Sequence, residues 1–171
     1  ALQELFDESH RLYNRYVFLL QLQDYPRVVR DTQRNMDLFR FVNRFAAREK
    51  DRLNLERWWP YIIRINATAR ALLVIEENQD YDTALRLIRQ AIERVENLPD
   101  VDFEEFHTEL ERSLTALREM EESILEQKPL SAAERLQARL DRAVEEERFE
   151  DAAELRDKIN EYHQGDPASA D

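Results

Sequence analysis

The sequence predicts an all-α protein, a helical bundle built of stacked helical hairpins, and three observations carry that prediction. A single Gly in 171 residues leaves few positions for the positive-φ turns of β-hairpins or the backbone cradles of nucleotide-binding loops. Leu, Ala, Arg and Glu dominate the composition. Apolar residues recur at intervals of three and four along most of the chain, the period of one helix face. The hydrophobic content of 43% supports a core despite 36% charged residues, and the absence of Cys excludes disulfides, Cys-ligated zinc and thiol chemistry.

About seven helices follow from the periodicity. The first, over 2–22, carries Leu5, Leu12, Tyr16, Leu19 and Leu20 on one stripe. The second, over 26–50, opens with Pro26 in its first turn, where the missing N–H costs nothing, and carries Val28, Phe39, Val42 and Phe45. The pattern fades from Asp51 to Arg57. Trp58, Trp59 and Pro60 then mark a new start, because proline inside a helix costs about 3 kcal/mol. That helix reaches Asn78, and the next, over 81–97, carries Ala84, Leu87, Ile88, Ala91 and Val95 before Pro99. A capping box of Asp102 and Glu105 opens a fifth helix through Phe103, Phe106, Leu110, Leu114, Leu117 and Ile124. Ser131 and Glu134 form a second box, after Pro129, for a helix with Ala133, Leu136, Leu140, Ala143 and Val144. The seventh carries Ala152, Leu155, Ile159 and Tyr162, and the tail from Gly165 is expected to be disordered. Phe39, Phe45, Trp58, Trp59 and Tyr61 are the expected aromatic core.

Charge is uneven along the chain. The net charge is −12, yet residues 1–70 carry 13 basic and 9 acidic side chains against 12 and 28 in 71–171, and eleven of the sixteen aromatics lie in 1–70. Arg supplies 22 of the 25 basic residues. Arg27, Arg30, Arg34, Arg44 and Arg48, with Phe41 beside them, fall within about 100° on the second helix, a stripe able to track phosphates. Asp31 and Asp37 interrupt it, and the C-terminal acids offer the same arginines a competing partner. Direct nucleic-acid binding is therefore the alternative function and not the first choice. No apolar run approaches the ~20 residues of a membrane span and the start has no signal-peptide pattern, so the cytoplasm is the expected compartment.

Catalytic chemistry finds little support. Asp7 with His10 and Glu104 with His107 have the acid-x-x-His spacing of di-iron bundles, which makes a di-metal site a remote alternative. Glu104 lies roughly 130° from the apolar centre of its helix, however, and two further ligands have no assigned position. Carboxylate runs such as Glu145, Glu146 and Glu147 have the form of a solvated helix face. No enzyme activity and no cofactor are expected.

A turn recurs three times: Gln23-Asp24-Tyr25, Gln79-Asp80-Tyr81 and Glu147-Arg148-Phe149, each followed three residues on by a small or β-branched pair. In a tight helical hairpin the aromatic would plug the open end while the small pair lets the helices approach. Tyr81, Ala84, Ile88 and Ala91 resemble the second helix of a tetratricopeptide pair, although the copies are not spaced by that repeat's roughly 34 residues.

The stretch from Glu134 to Tyr162, ERLQARLDRAVEEERFEDAAELRDKINEY, resembles the UVR motif, the short helical hairpin shared by the UvrB and UvrC subunits of the bacterial excinuclease. Leu136, Leu140, Ala143, Val144 and the intact F-E-x-A-A-x-L-R-D run from Phe149 to Asp157, with Ile159 beyond it, carry the resemblance. It implies a protein–protein module, with related hairpins in Clp-type ATPases and in activators of protein arginine kinases. No Walker motif, nuclease constellation or Cys pair accompanies it, so the resemblance implies an interaction mode and no activity. The partner-binding residues it implies are Leu140, Arg148, Phe149, Glu150, Ala152, Ala153, Leu155, Arg156, Asp157 and Ile159. The expected division is a bundle at 1–128 with weakly tetratricopeptide-like hairpins, a UVR-like hairpin at 129–163 and a tail at 164–171. The expected function is a non-catalytic adaptor that binds a protein partner, or a second copy of itself, through that hairpin.

Overall fold

The computed structural model describes residues 2–165; of the tail expected at 164–171, Gln164 and Gly165 continue the last helix and the rest lies outside the described residues. The described residues form eight α-helices and no strand: α1 (Leu2–Gln21), α2 (Tyr25–Phe45), α3 (Glu49–Glu56), α4 (Trp59–Asn78), α5 (Tyr81–Glu96), α6 (Glu104–Gln127), α7 (Ala132–Glu145) and α8 (Phe149–Gly165). The chain divides into two compact units, 1–127 and 128–171.

In the first unit α1 packs on α2, α4 on α2, α5 and α6, α5 on α6, and α3 on α2. The centre is α4, whose buried residues include Ile62, Ile63, Ile65, Ala67, Ala69 and Ala71. With neighbours on several sides it has no polar face of the usual width. Ala67 and Ala71 meet Ala84 and Ala91 of α5 in one apolar cluster, and these small side chains let the helix axes approach closely. Pro26 and Pro60 both sit in first turns, as the sequence predicted.

Four local expectations change. The predicted second helix ends at Phe45, where Ala46 becomes extended, and a separate short helix, α3, occupies the region where periodicity fades. Phe45 is 61% exposed, because it lies about 120° around the helix from Phe39 and meets Phe41 instead, tilted at 45° with centroids 4.7 Å apart. Trp58 and Tyr61 are half-buried, whereas Phe39 and Trp59 are buried. Helix α6 starts at Glu104, and Glu105 receives Arg57 Nη1 at 3.4 Å in place of the expected box with Asp102.

The recurring turn has one backbone basis. Gln23, Gln79 and Glu147 all adopt the left-handed region, with φ of 58°, 53° and 58°. Gln23 N–H bonds Leu20 C=O and Asp24 N–H bonds Leu19 C=O; Glu147 N–H to Val144 and Arg148 N–H to Ala143 repeat that pattern. In these two copies it is the Schellman ending of a helix, built without glycine, whereas Gln79 N–H bonds Ile75 C=O at 2.9 Å, the simpler left-handed ending. Asp24 and Asp80 then cap the following helices by accepting from Arg27 N–H and Thr83 N–H. Since a side chain at positive φ costs about 1 kcal/mol or more, Gln79→Gly is expected to raise unfolding stability by up to about 1 kcal/mol in urea titrations. No gain would mean that the greater freedom of glycine in the unfolded chain cancels the relief.

Candidate functional site

The second unit is built around α7 and α8. Ser131 Oγ accepts Glu134 N–H at 3.1 Å while Glu134 Oε2 accepts Ser131 N–H at 2.6 Å, the predicted capping box. At the other end of α7 the left-handed Glu147 reverses the chain into α8, and Arg148 is held by Glu146 at 3.0 Å and Asp151 at 3.1 Å. Ala143, Ala152 and Leu155 form a small buried seam with Leu136 and Leu140 packed against it. That seam is narrow. An open groove of about 670 Å³ runs beside it, floored by Leu140, Val144, Phe149 and Ala153 and rimmed by Asp141, Glu145 and Arg156.

The three copies of the turn part company at the aromatic. Tyr25 and Tyr81 pack against buried clusters of the first unit, so each covers its hairpin end. Phe149 is 68% exposed and Val144 is 52% exposed. The expected plug is thus absent from the third copy.

Of the residues singled out from the sequence, Leu140, Phe149, Ala153 and Arg156 line the groove. Ala152 borders it but is largely buried, and Leu155 is buried in the seam; their burial holds α7 to α8 and leaves them little surface to offer a partner. Arg148 is engaged in the turn, Glu150 and Asp157 are exposed, and Ile159 is half-buried beyond the groove. Val144, Asp141 and Glu145 complete the groove and were not among the predicted contacts. The i, i+4 spacing from Leu140 to Val144 was the signal for the first.

Four of the five stripe arginines are paired with carboxylates of their own unit. Arg27 pairs with Asp24 at 3.2 Å, Arg30 with Asp31 at 3.0 Å and Arg34 with Glu8 at 2.9 Å. Arg44 covers the Phe45 ring, and Arg48 lies beyond α2, as the N-cap of α3, paired with Asp51 at 2.8 Å. The acids that neutralise the stripe are therefore N-terminal, contrary to the expected C-terminal ones. Arg57 and Arg64 do take partners from the acidic stretch, Glu105 and Glu109. A continuous phosphate track would have to displace these pairs.

The di-metal constellation is not assembled. Asp7 accepts from Gln3, His10 stacks on Tyr13, and His107 meets Asp100 at 2.8 Å. Among the described residues no group of three or more His, Asp or Glu side chains converges on a point that could hold a metal ion, and no helix is long and apolar enough to cross a membrane.

No curated protein and no solved structure matches the chain. The family model of the UvrB/uvrC motif matches residues 131–165, which span α7, its capping box, the left-handed turn and α8, so the family match coincides with this hairpin.

Proposed function

We propose that the protein is a non-catalytic adaptor that docks on a protein partner, or on a second copy of itself, through the α7–α8 hairpin. The observation that supports this reading is the exposed Phe149 at the end of a groove floored by Leu140, Val144 and Ala153, on a hairpin whose buried seam is only a few side chains wide. A large aromatic left in water gains free energy when covered, and such anchors dominate binding energetics at interfaces. Asp141 and Glu145 on one rim and Arg156 on the other would set register and exclude wrongly charged partners more than they add affinity. Proteins of excinuclease-type DNA repair and Clp-type ATPases are the partner classes that the UVR motif brings into view.

Changing Phe149 to Asp is expected to weaken self-association or partner capture by about 2 kcal/mol or more. Sedimentation of the purified full chain reads the first, and pull-down with wild-type and variant baits reads the second. Helical circular dichroism and the unfolding midpoint should stay unchanged, since the side chain is exposed. If association and capture are both unaltered while the fold is intact, the hairpin is a structural cap and the adaptor reading fails.

A further inference from the structure

The first unit leaves a second groove open, independent of the hairpin. Its floor is one face of α4 and its walls come from α2 and α5, which both pack on α4 and make no packing pair with each other. The trough between them has a volume of about 440 Å³. Helix α4 is apolar around most of its circumference, with Leu72, Leu73 and Val74 in succession, so the side that α2, α5 and α6 leave uncovered is still apolar. Leu73 of α4 and Leu87 of α5 are half-buried, and both line the groove without joining a buried cluster of the unit. The sequence places Leu87 on the core stripe of its helix. The buried face there runs instead through Ala84, Leu85, Ile88 and Ala91, and Leu87 falls to one side of it.

The charge at this groove has one sign. Most arginines of the unit meet a carboxylate, as Arg15, Arg34 and Arg89 do. Arg70 and Arg86, both exposed, line the groove and do not. Arg86 donates to the Thr83 hydroxyl at 3.1 Å, and among the described residues Arg70 has no hydrogen-bond or ion-pair partner. Among those residues no acidic side chain lines the groove. An apolar floor beside two positive charges left to water complements a helix that carries apolar anchors along one face and acids beside them. The trough is concave, so a flat bilayer surface does not reach its floor, and it holds no aromatic ring on which a nucleic-acid base could stack.

We propose that this groove docks an acidic amphipathic helix of a second protein, with its apolar anchors on Leu73 and Leu87 and its carboxylates on Arg70 and Arg86. Fluorescence anisotropy follows binding of the full chain to a labelled helical peptide that bears leucines at i, i+4 and i+7 and glutamates on both flanks, and to the same peptide with lysines in place of the glutamates. The glutamate peptide should bind at least about tenfold tighter, by a margin that narrows with added salt. Arg70→Glu combined with Arg86→Glu should reverse the preference, and because both side chains are exposed the fold is retained. Leu87→Ser, checked for an intact cooperative unfolding transition, should weaken binding of both peptides; if that chain does not fold, the arginine variant decides. Phe149→Asp should leave binding unchanged, which separates this groove from the hairpin. Failure of the glutamate peptide to bind, equal affinity for the two peptides, or a preference that survives the arginine substitutions overturns the inference. So does undiminished binding to a folded Leu87→Ser chain, or loss of binding in Phe149→Asp. It is overturned as well if the arginine substitutions abolish self-association in sedimentation, which assigns the groove to a second copy, or abolish binding to phosphatidylglycerol vesicles, which assigns it to a lipid surface.

Discussion

Truncating Phe39 to Ala is expected to cost about 3–5 kcal/mol of stability, the largest single-residue effect in the first unit. The ring is 3% exposed and meets Trp59 edge-to-face with centroids 5.3 Å apart. Trp59 is in turn flanked by the guanidinium groups of Arg40, at 5.5 Å, and Arg94, at 5.3 Å. Removing the phenyl group therefore deletes buried apolar area and an aromatic pair, and leaves a void that the helices framing it fill only in part. Phe45→Ala on the same helix is expected to cost under about 1 kcal/mol, because its ring is mostly in water. Urea denaturation followed by tryptophan fluorescence measures both. Equal losses for the two would contradict the burial pattern described here.

Asp31 gives the second large effect, and it is tied to pH. This carboxylate is fully buried on α2 and receives a two-pronged contact from Arg15 of α1 and a third bond from Arg30. Burial by itself raises its pKa, but the hydrogen bonds from Arg15 and Arg30, with their charges, outweigh that and hold it below the ordinary 3.8. Between the unfolded and folded values the unfolded chain binds more protons, so stability rises with pH there. The contribution is complete above the unfolded value and is lost as pH falls through the folded one. Asp31→Ala is expected to cost about 3 kcal/mol near neutral pH, as charge-assisted bonds vanish and the α1–α2 contact loses its polar anchor. Asp31→Asn keeps the shape but not the charge. Its stability should differ from wild type at neutral pH and approach it in acid, and a gap independent of pH would show that Asp31 acts through packing alone.

The same network shows how a helix interior accommodates polar residues. Thr32 Oγ1 donates to the Val28 carbonyl at 2.7 Å and accepts from Asn66 Nδ2 at 2.9 Å, which ties α2 to α4 inside the core. Periodicity alone reads Asp31, Thr32 and Asn35 as breaks in an apolar stripe. Their meaning comes from Arg15, Asn66 and the Ser9 carbonyl, which the sequence leaves at distances of many residues.

Sequence by itself determined what depends on neighbouring residues. The scarcity of glycine and the three-and-four spacing specify helices, Pro26 and Pro60 specify first turns, and Ser131 with Glu134 specifies a start, because each acts through backbone bonds within a few residues. The three polar turns were legible for the same reason, as was the UVR hairpin, whose residues are contiguous. The left-handed backbone at Gln23, Gln79 and Glu147 was not, since no side chain there announces it. Tertiary structure alone decided which aromatics have a wall to pack against. Phe39 has Trp59, Phe45 meets Phe41 and an arginine but stays mostly in water, and Phe149 stays exposed beside the narrow seam of its hairpin. It also decided that Arg34 of the stripe meets Glu8 of α1. Helical periodicity fixes the direction of a side chain from its own axis, whereas burial and pairing depend on what another helix, distant in sequence, places opposite it.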